Sequence, residues 1–150
     1  MSVQGMLLIG ARPCRALVVD DNSINRKMLD IMLREAGAVV EQAEDGQIAC
    51  DIFARRYFDV VFMDIQMPEM DGYLATRVIR GLETERCMPR TPIIMVSAHI
   101  EPRDIDEAMA AGADLHLAKP VNVVSLLAAT RDALDGWQLR PQGWQAFCYA

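Results

Sequence analysis

Closely spaced cysteines and histidines are missing from this chain of 150 residues. Its four cysteines (Cys14, Cys50, Cys87 and Cys148) lie far apart, with no Cys-x-x-Cys pair, and its two histidines, His99 and His116, stand alone. That excludes a structural zinc site and a disulfide framework, and it points to a reducing, cytoplasmic setting. Long apolar runs are also missing. No stretch reaches the roughly 20 residues that a membrane-spanning helix needs, and Met6-Leu7-Leu8-Ile9 is too short, without a basic lead-in, for a signal-peptide core. No membrane contact is expected. Basic charge is scarce: 15 Lys+Arg against 21 Asp+Glu leave a net charge of −6. Such a surface repels phosphate backbones, so no nucleic-acid partner is expected.

What is present describes a globular domain. The apolar fraction of 52% with 24% charged residues excludes a disordered chain. The length suits one domain that folds without staples. Short, mostly β-branched runs occur at Ala16-Leu17-Val18-Val19, Val60-Val61-Phe62-Met63 and Ile93-Ile94-Met95-Val96. These are the marks of strands buried on both faces of a parallel sheet. Val39–Ala43 and Leu115–Ala118 are weaker strand candidates.

Helix-length segments separate them. Ser23 is expected to cap a helix from Ile24 to Ala36, stopped by Gly37. Further helices are expected over Gly46–Arg56, over Gly72–Glu85 with Asp71 as cap, over Arg103–Ala111 after Pro102, and over Val123–Asp135 before Gly136. Five strand–helix repeats predict an α/β fold, a doubly wound parallel sheet with helices on both faces. Residues 1–13 form a lead-in without clear periodicity, and residues 14–136 form the domain. Residues 137–150 form an aromatic-rich tail holding both tryptophans, which is expected to fold back on the domain.

In open parallel sheets ligands bind beyond the carboxyl ends of the strands. Read in order, the first strand ends in Asp20-Asp21, the third in Asp64, the fourth at Ser97 and the fifth at Lys119-Pro120. If the first and third strands are neighbours, three carboxylates share one basin. Like charges that close need compensation, either by raised pKa values or by cations. A hard divalent ion with oxygen ligands, Mg²⁺ above all, suits them, and Lys119 can supply further positive charge. Taken singly, each residue has a plainer reading: the acids as turn formers or caps, Ser97 as a capping hydroxyl, Lys119 as a surface charge. Their joint placement at successive strand ends is what points to a site.

The segments Leu17-Val18-Val19-Asp20-Asp21-Asn22, Asp64-Ile65-Gln66-Met67-Pro68-Glu69-Met70-Asp71-Gly72, Ser97-Ala98 and Lys119-Pro120 resemble the receiver domain of two-component response regulators. The likeness covers roughly residues 14 to 136. It implies a five-stranded, flavodoxin-like (βα)5 sheet in the order 2-1-3-4-5. It implies that Asp64 accepts a phosphoryl group from a histidine kinase or histidine phosphotransfer protein. Asp20, Asp21 and Asp64, with the backbone carbonyl of Gln66, would hold Mg²⁺. Lys119 and Ser97 would bind the phosphoryl group, Lys119–Pro120 would be a cis peptide, and Ser97 and His116 would form the switch. His116 stands where the family more often has Tyr or Phe, and its plainer reading is a partly exposed strand histidine. Gln66 and His99 flank the site and would tune phosphoryl lifetime. Output and homodimerisation would use the face of the fourth helix, fifth strand and fifth helix (the family's α4-β5-α5 face). Such a domain transfers a phosphoryl group to itself and slowly loses it, which is less than a conventional enzyme.

The first helix carries two apolar stripes. Asn25, Leu29, Met32 and Ala36 form one; Ile24, Met28 and Ile31 form the other. One must face the sheet. The second is either a docking patch for the histidine partner or part of a broad buried face. The run Asp20–Arg26 further resembles receivers of hybrid sensor histidine kinases. Two functions remain open at this level: a phosphorelay receiver, alone or within a hybrid kinase, and a receiver-fold interaction module that works without phosphate. A haloacid-dehalogenase-like phosphatase is set aside, because it needs a second Asp where Gln66 stands.

Overall fold

The computed structural model describes residues 3–98, 101–135 and 147–149, the last as backbone only. The strand and helix labels run in chain order. Strands β1 (Leu8–Ile9) and β2 (Arg12–Pro13) form a small antiparallel hairpin. The main sheet comprises β3 (Arg15–Val19), β4 (Val39–Ala43), β5 (Val60–Asp64), β6 (Ile93–Ser97), β7 (Leu115–Ala118) and β8 (Phe147–Tyr149). The helices are α1 (Ser23–Glu35), α2 (Gly46–Arg55), α3 (Gly72–Glu85), α4 (Pro102–Ala111) and α5 (Val123–Asp135).

The sheet runs β4-β3-β5-β6-β7-β8, every pair parallel. Its first five strands reproduce the predicted order 2-1-3-4-5, with the reversal of direction between β3 and β5. The predicted strand runs are buried because helices cover both faces. Ala16, Val18, Phe62, Ile94 and Leu117 pack towards Leu29, Leu33 and Ala36 of α1 and Leu126 and Ala129 of α5. The alternate residues Leu17, Val19, Val61, Met63 and Met95 pack towards Phe53 of α2, Ile79 of α3 and Ala108 of α4. Period-2 side-chain alternation in the strands divides the core between the two layers.

One local feature departs from the expectations and two add to them. The cap of α1 is Asn22, one residue before Ser23: its side chain accepts the N–H groups of Ile24 and Asn25 at 3.0 Å each. Asn and Ser cap about equally well, and the Asn22 N–H is itself fixed by Asp20 Oδ1 at 2.8 Å, which decides between them. The lead-in is ordered. Leu7 is fully buried, its N–H donates to the Ala36 carbonyl, and its carbonyl accepts from the Cys14 N–H. The two-residue strands that follow are too short to show a period. Thirdly, residues 147–149 add a sixth strand beside β7. Gly136 and most of the aromatic tail lie outside the described residues.

Candidate functional site

Main-chain geometry delivers the predicted residues to one end of the sheet. Asp20 follows β3, and Asp64 ends β5; because these strands are neighbours, Val19 lies opposite Met63. The loop after β5 then folds back tightly. The Gly72 N–H donates to the Ile65 carbonyl at 2.9 Å, and a Cβ at Gly72 would sit 2.3 Å from the Asp64 carbonyl oxygen. Only glycine fits there. On the other side, a Cβ at Gly46 would meet Met70 at 2.9 Å, so the loop is held between two glycines. Gln66 is exposed within it.

One carboxylate oxygen each from Asp20, Asp21 and Asp64 falls within 4.8 Å of the others. Asp20 and Asp64 are 2% and 4% exposed, whereas Asp21 is open to solvent. Lys119, whose bond to Pro120 is cis, places Nζ 3.1 Å from Asp64 Oδ1 and 3.2 Å from Asp20 Oδ2. Three acids thus share one ammonium. Burial, and then the charge of Asp20, push the Asp64 carboxyl up to about 6, although Lys119 pulls the other way. Burial works against the Lys119 ammonium, but Asp64 and Asp20 outweigh it and raise its pKa. The cluster therefore carries an excess of two negative charges when ionised, and oxygen donors at this spacing suit a hard divalent cation.

Behind the acids, Ser97 ends β6 and is buried; its Oγ lies 3.1 Å from Nε2 of His116 on β7. His116 is fully buried, not partly exposed, and burial lowers its pKa. Its Nδ1 has no hydrogen-bond partner. The neutral ring is therefore already inward. His99 lies outside the described residues.

Helix α1 resolves its two stripes. Leu29 and Leu33 are buried, while Ile24, Met28 and Ile31 are 69%, 45% and 49% exposed. Beside them opens a mostly apolar cavity of about 320 Å³, bordered by Asn25, Met28, Lys119, Pro120, Val121 and Asp20. It brings apolar surface to the rim of the acidic basin.

Two clusters escaped the sequence reading, both at the opposite end of the sheet. Asp59, just before β5, takes two bonds from Arg12 at 2.8 and 2.9 Å and one from the Arg15 N–H. Asp114, just before β7, is paired with Arg80 and Arg90 and accepts the Ile93 N–H. Acids at strand starts were the available signal. Each is matched by arginine, which separates these structural pairs from the under-compensated acids at the other end.

A family profile described as the response regulator receiver domain matches residues 16–131. The chain is 42% identical over 112 residues to the two-component response regulator ORR41 of Oryza sativa subsp. japonica, covering 72% of this chain and 84% of that one. It is 36% identical over 124 residues to hybrid signal transduction histidine kinase A of Dictyostelium discoideum, covering 82% of this chain but 6% of the kinase. Among solved structures, the Mg²⁺ complex of the receiver domain of histidine kinase CKI1 from Arabidopsis thaliana matches with TM-score 0.72 and 38% identity, covering 84% and 94% of the two chains. The co-crystal of the Saccharomyces cerevisiae histidine phosphotransfer protein Ypd1 with the receiver domain of Ssk1 matches with TM-score 0.74 and 26% identity, covering 89% and 96%. Among the described residues no helix is long and apolar enough to cross a membrane.

Proposed function

The chain belongs to the response regulator receiver family, and from that premise we propose that it is a phosphorelay receiver whose phosphoacceptor is Asp64. The observation that carries the reading is the convergence of Asp20, Asp21 and Asp64 on one point, with the Lys119 ammonium 3.1 Å from Asp64. An interaction module working without phosphate has no use for so costly a group of charges.

Asp20, Asp21 and Asp64, with the backbone carbonyl of Gln66, would hold Mg²⁺. When bound, the ion supplies counter-charge for the basin and for the oxygens of an incoming phosphoryl group. The rest falls to the chain itself. An Asp64 carboxylate oxygen attacks phosphorus in line; the P–O bond forms as the P–N bond to the donor histidine breaks, and the imidazole leaves with that electron pair. Lys119 keeps the attacking carboxylate oriented and pairs with a phosphoryl oxygen as charge moves towards it. Ser97 donates its hydroxyl to another oxygen, which couples the site to β6 and β7.

The donor is a histidine kinase or a histidine phosphotransfer protein. Ile24, Met28 and Ile31 would receive its histidine-bearing helix, since they give an apolar footing beside the acids. A mainly electrostatic footing would bring like charge near the phosphohistidine. By the same family resemblance, a homodimer would assemble through the face of α4, β7 and α5. The hybrid kinases are much longer than this chain, so a place within such a kinase is likewise a proposal.

Incubation with acetyl phosphate and Mg²⁺ should raise the intact mass by one phosphoryl group, about 80 Da. An unchanged mass, or the same gain in Asp64→Asn, would remove Asp64 from its role.

A further inference from the structure

Strand β8 lies on the edge of β7, with Cys148 opposite His116, Phe147 opposite Leu115 and Tyr149 opposite Leu117. In the five-stranded order β7 would be an edge strand, with main-chain groups open for pairing. The chain fills that edge with a segment of its own. The strand it covers is the one that carries the buried histidine and leads into Lys119. His116 Nε2 lies 3.1 Å from Ser97 Oγ, and the Lys119 N–H donates to the Ser97 carbonyl at 2.9 Å. Tail, histidine, serine and phosphoacceptor basin therefore form one physical sequence of contacts.

We propose that Phe147–Tyr149 is a releasable strand clamped on the β7 edge, and that phosphorylation of Asp64 loosens it through Ser97 and His116. The inference rests on the reading of Asp64 as phosphoacceptor. Its cause is a partner exchange. When the Ser97 hydroxyl turns to a phosphoryl oxygen, the His116 ring loses the partner of Nε2, while Nδ1 already has none. A fully buried imidazole with neither nitrogen satisfied is costly. Water is the nearest replacement, and reaching it requires the β7 edge to open. Released β8 makes that edge available, and by linkage a docked β8 disfavours the phosphorylated state by the same factor.

Amide hydrogen exchange on the full chain tests this. The Lys119 N–H donates to the Ser97 carbonyl on β6, so strand alternation turns the Leu117 N–H towards β6 as well and the His116 N–H towards β8. With Cys148 opposite His116, the Phe147 and Tyr149 N–H groups are the ones turned towards β7. In the resting protein the His116 amide should exchange at least about tenfold more slowly than in Tyr149→Pro, which removes a pairing N–H. Tyr149→Phe, which keeps the N–H, should match the wild type. The Val18 amide, in the sheet centre, reports whether each variant is folded, and Phe147→Pro replaces Tyr149→Pro if it is not. Equal His116 amide exchange in wild type and a folded proline variant would overturn the clamp.

After acetyl phosphate and Mg²⁺, with the added phosphoryl group verified by intact mass, His116 amide exchange should quicken several-fold in the wild type; in Ser97→Ala, which removes the partner of His116 Nε2 at the outset, it should be quick before phosphorylation and change no further. Phosphorylated wild-type protein with unchanged His116 amide exchange would overturn the coupling alone. Continued protection with dimer formation by sedimentation would give the edge to a second copy, and also overturn release. If no phosphoryl group is gained, the reading of Asp64 falls and takes the coupling with it, whereas the resting comparison still decides the clamp.

Discussion

Replacing Asp64 by asparagine should make the metal-free protein more stable at neutral pH, although it removes the residue on which the function turns. The carboxyl is raised from the ordinary 3.8 to about 6 by burial and by Asp20. Between those two values the unfolded chain has already lost this proton while the folded chain still binds it. Stability from this group is therefore full below about pH 4 and falls as pH rises through 6. At about 1.4 kcal/mol per pH decade the loss is about 3 kcal/mol, complete by pH 7.5. Asparagine imitates the neutral acid in shape and escapes the loss. Asp64→Asn should gain about 2–3 kcal/mol at pH 7.5 without Mg²⁺, a melting point higher by roughly 8–12 °C for a domain this size, with the gain shrinking towards zero near pH 4. Thermal and urea unfolding of both proteins in chelator across this range measure it. A variant less stable than wild type at pH 7.5, or an advantage that does not change with pH, would refute the electrostatic account of the basin.

Apparent Mg²⁺ affinity, read by calorimetry or by the Mg²⁺-induced rise in melting point, should fall about tenfold from pH 7.5 to pH 5, because the Asp64 proton competes with the ion; a flat profile would mean that Asp64 is not a ligand. Asp21→Ala should lose most of the melting-point rise given by millimolar Mg²⁺ while keeping the fold, since its side chain is exposed. Lys119→Ala should slow acetyl phosphate turnover roughly 100-fold with Mg²⁺ still bound, as followed by intact mass over time. Ile24→Asp with Ile31→Asp should slow transfer from a phosphorylated histidine protein and spare acetyl phosphate, and equal losses with both donors would count against the docking stripe.

The five-repeat sheet was readable because its cause is local. Runs such as Val60–Met63 and Ile93–Val96 are apolar throughout, which only strands covered on both faces require. The acidic site was readable for a related reason: a parallel sheet sends the residues after its strands to one edge, so position in the chain already implies position in space. Other features depended on distance in sequence. The cap of α1 moved from Ser23 to Asn22 because of an Asp20 contact that neither residue's propensity reveals. His116 is fully buried in a strand whose own run hardly alternates, so the packing around it could not be read from that run. Asp59 and Asp114 looked like ordinary loop acids; the arginines that pair with them come from positions 12, 80 and 90. Of the two stripes on α1, periodicity found both, and only the packing of Leu29 and Leu33 shows which one is turned inward.

A crystal structure of the protein grown with Mn²⁺ in place of Mg²⁺ and with beryllofluoride would test the central claim most directly. The account predicts one anomalous peak bounded by Asp20, Asp21 and Asp64, with the beryllofluoride joined to an Asp64 carboxylate oxygen and within hydrogen-bond reach of Lys119. Metal bound elsewhere, or beryllofluoride on any other side chain, would contradict it.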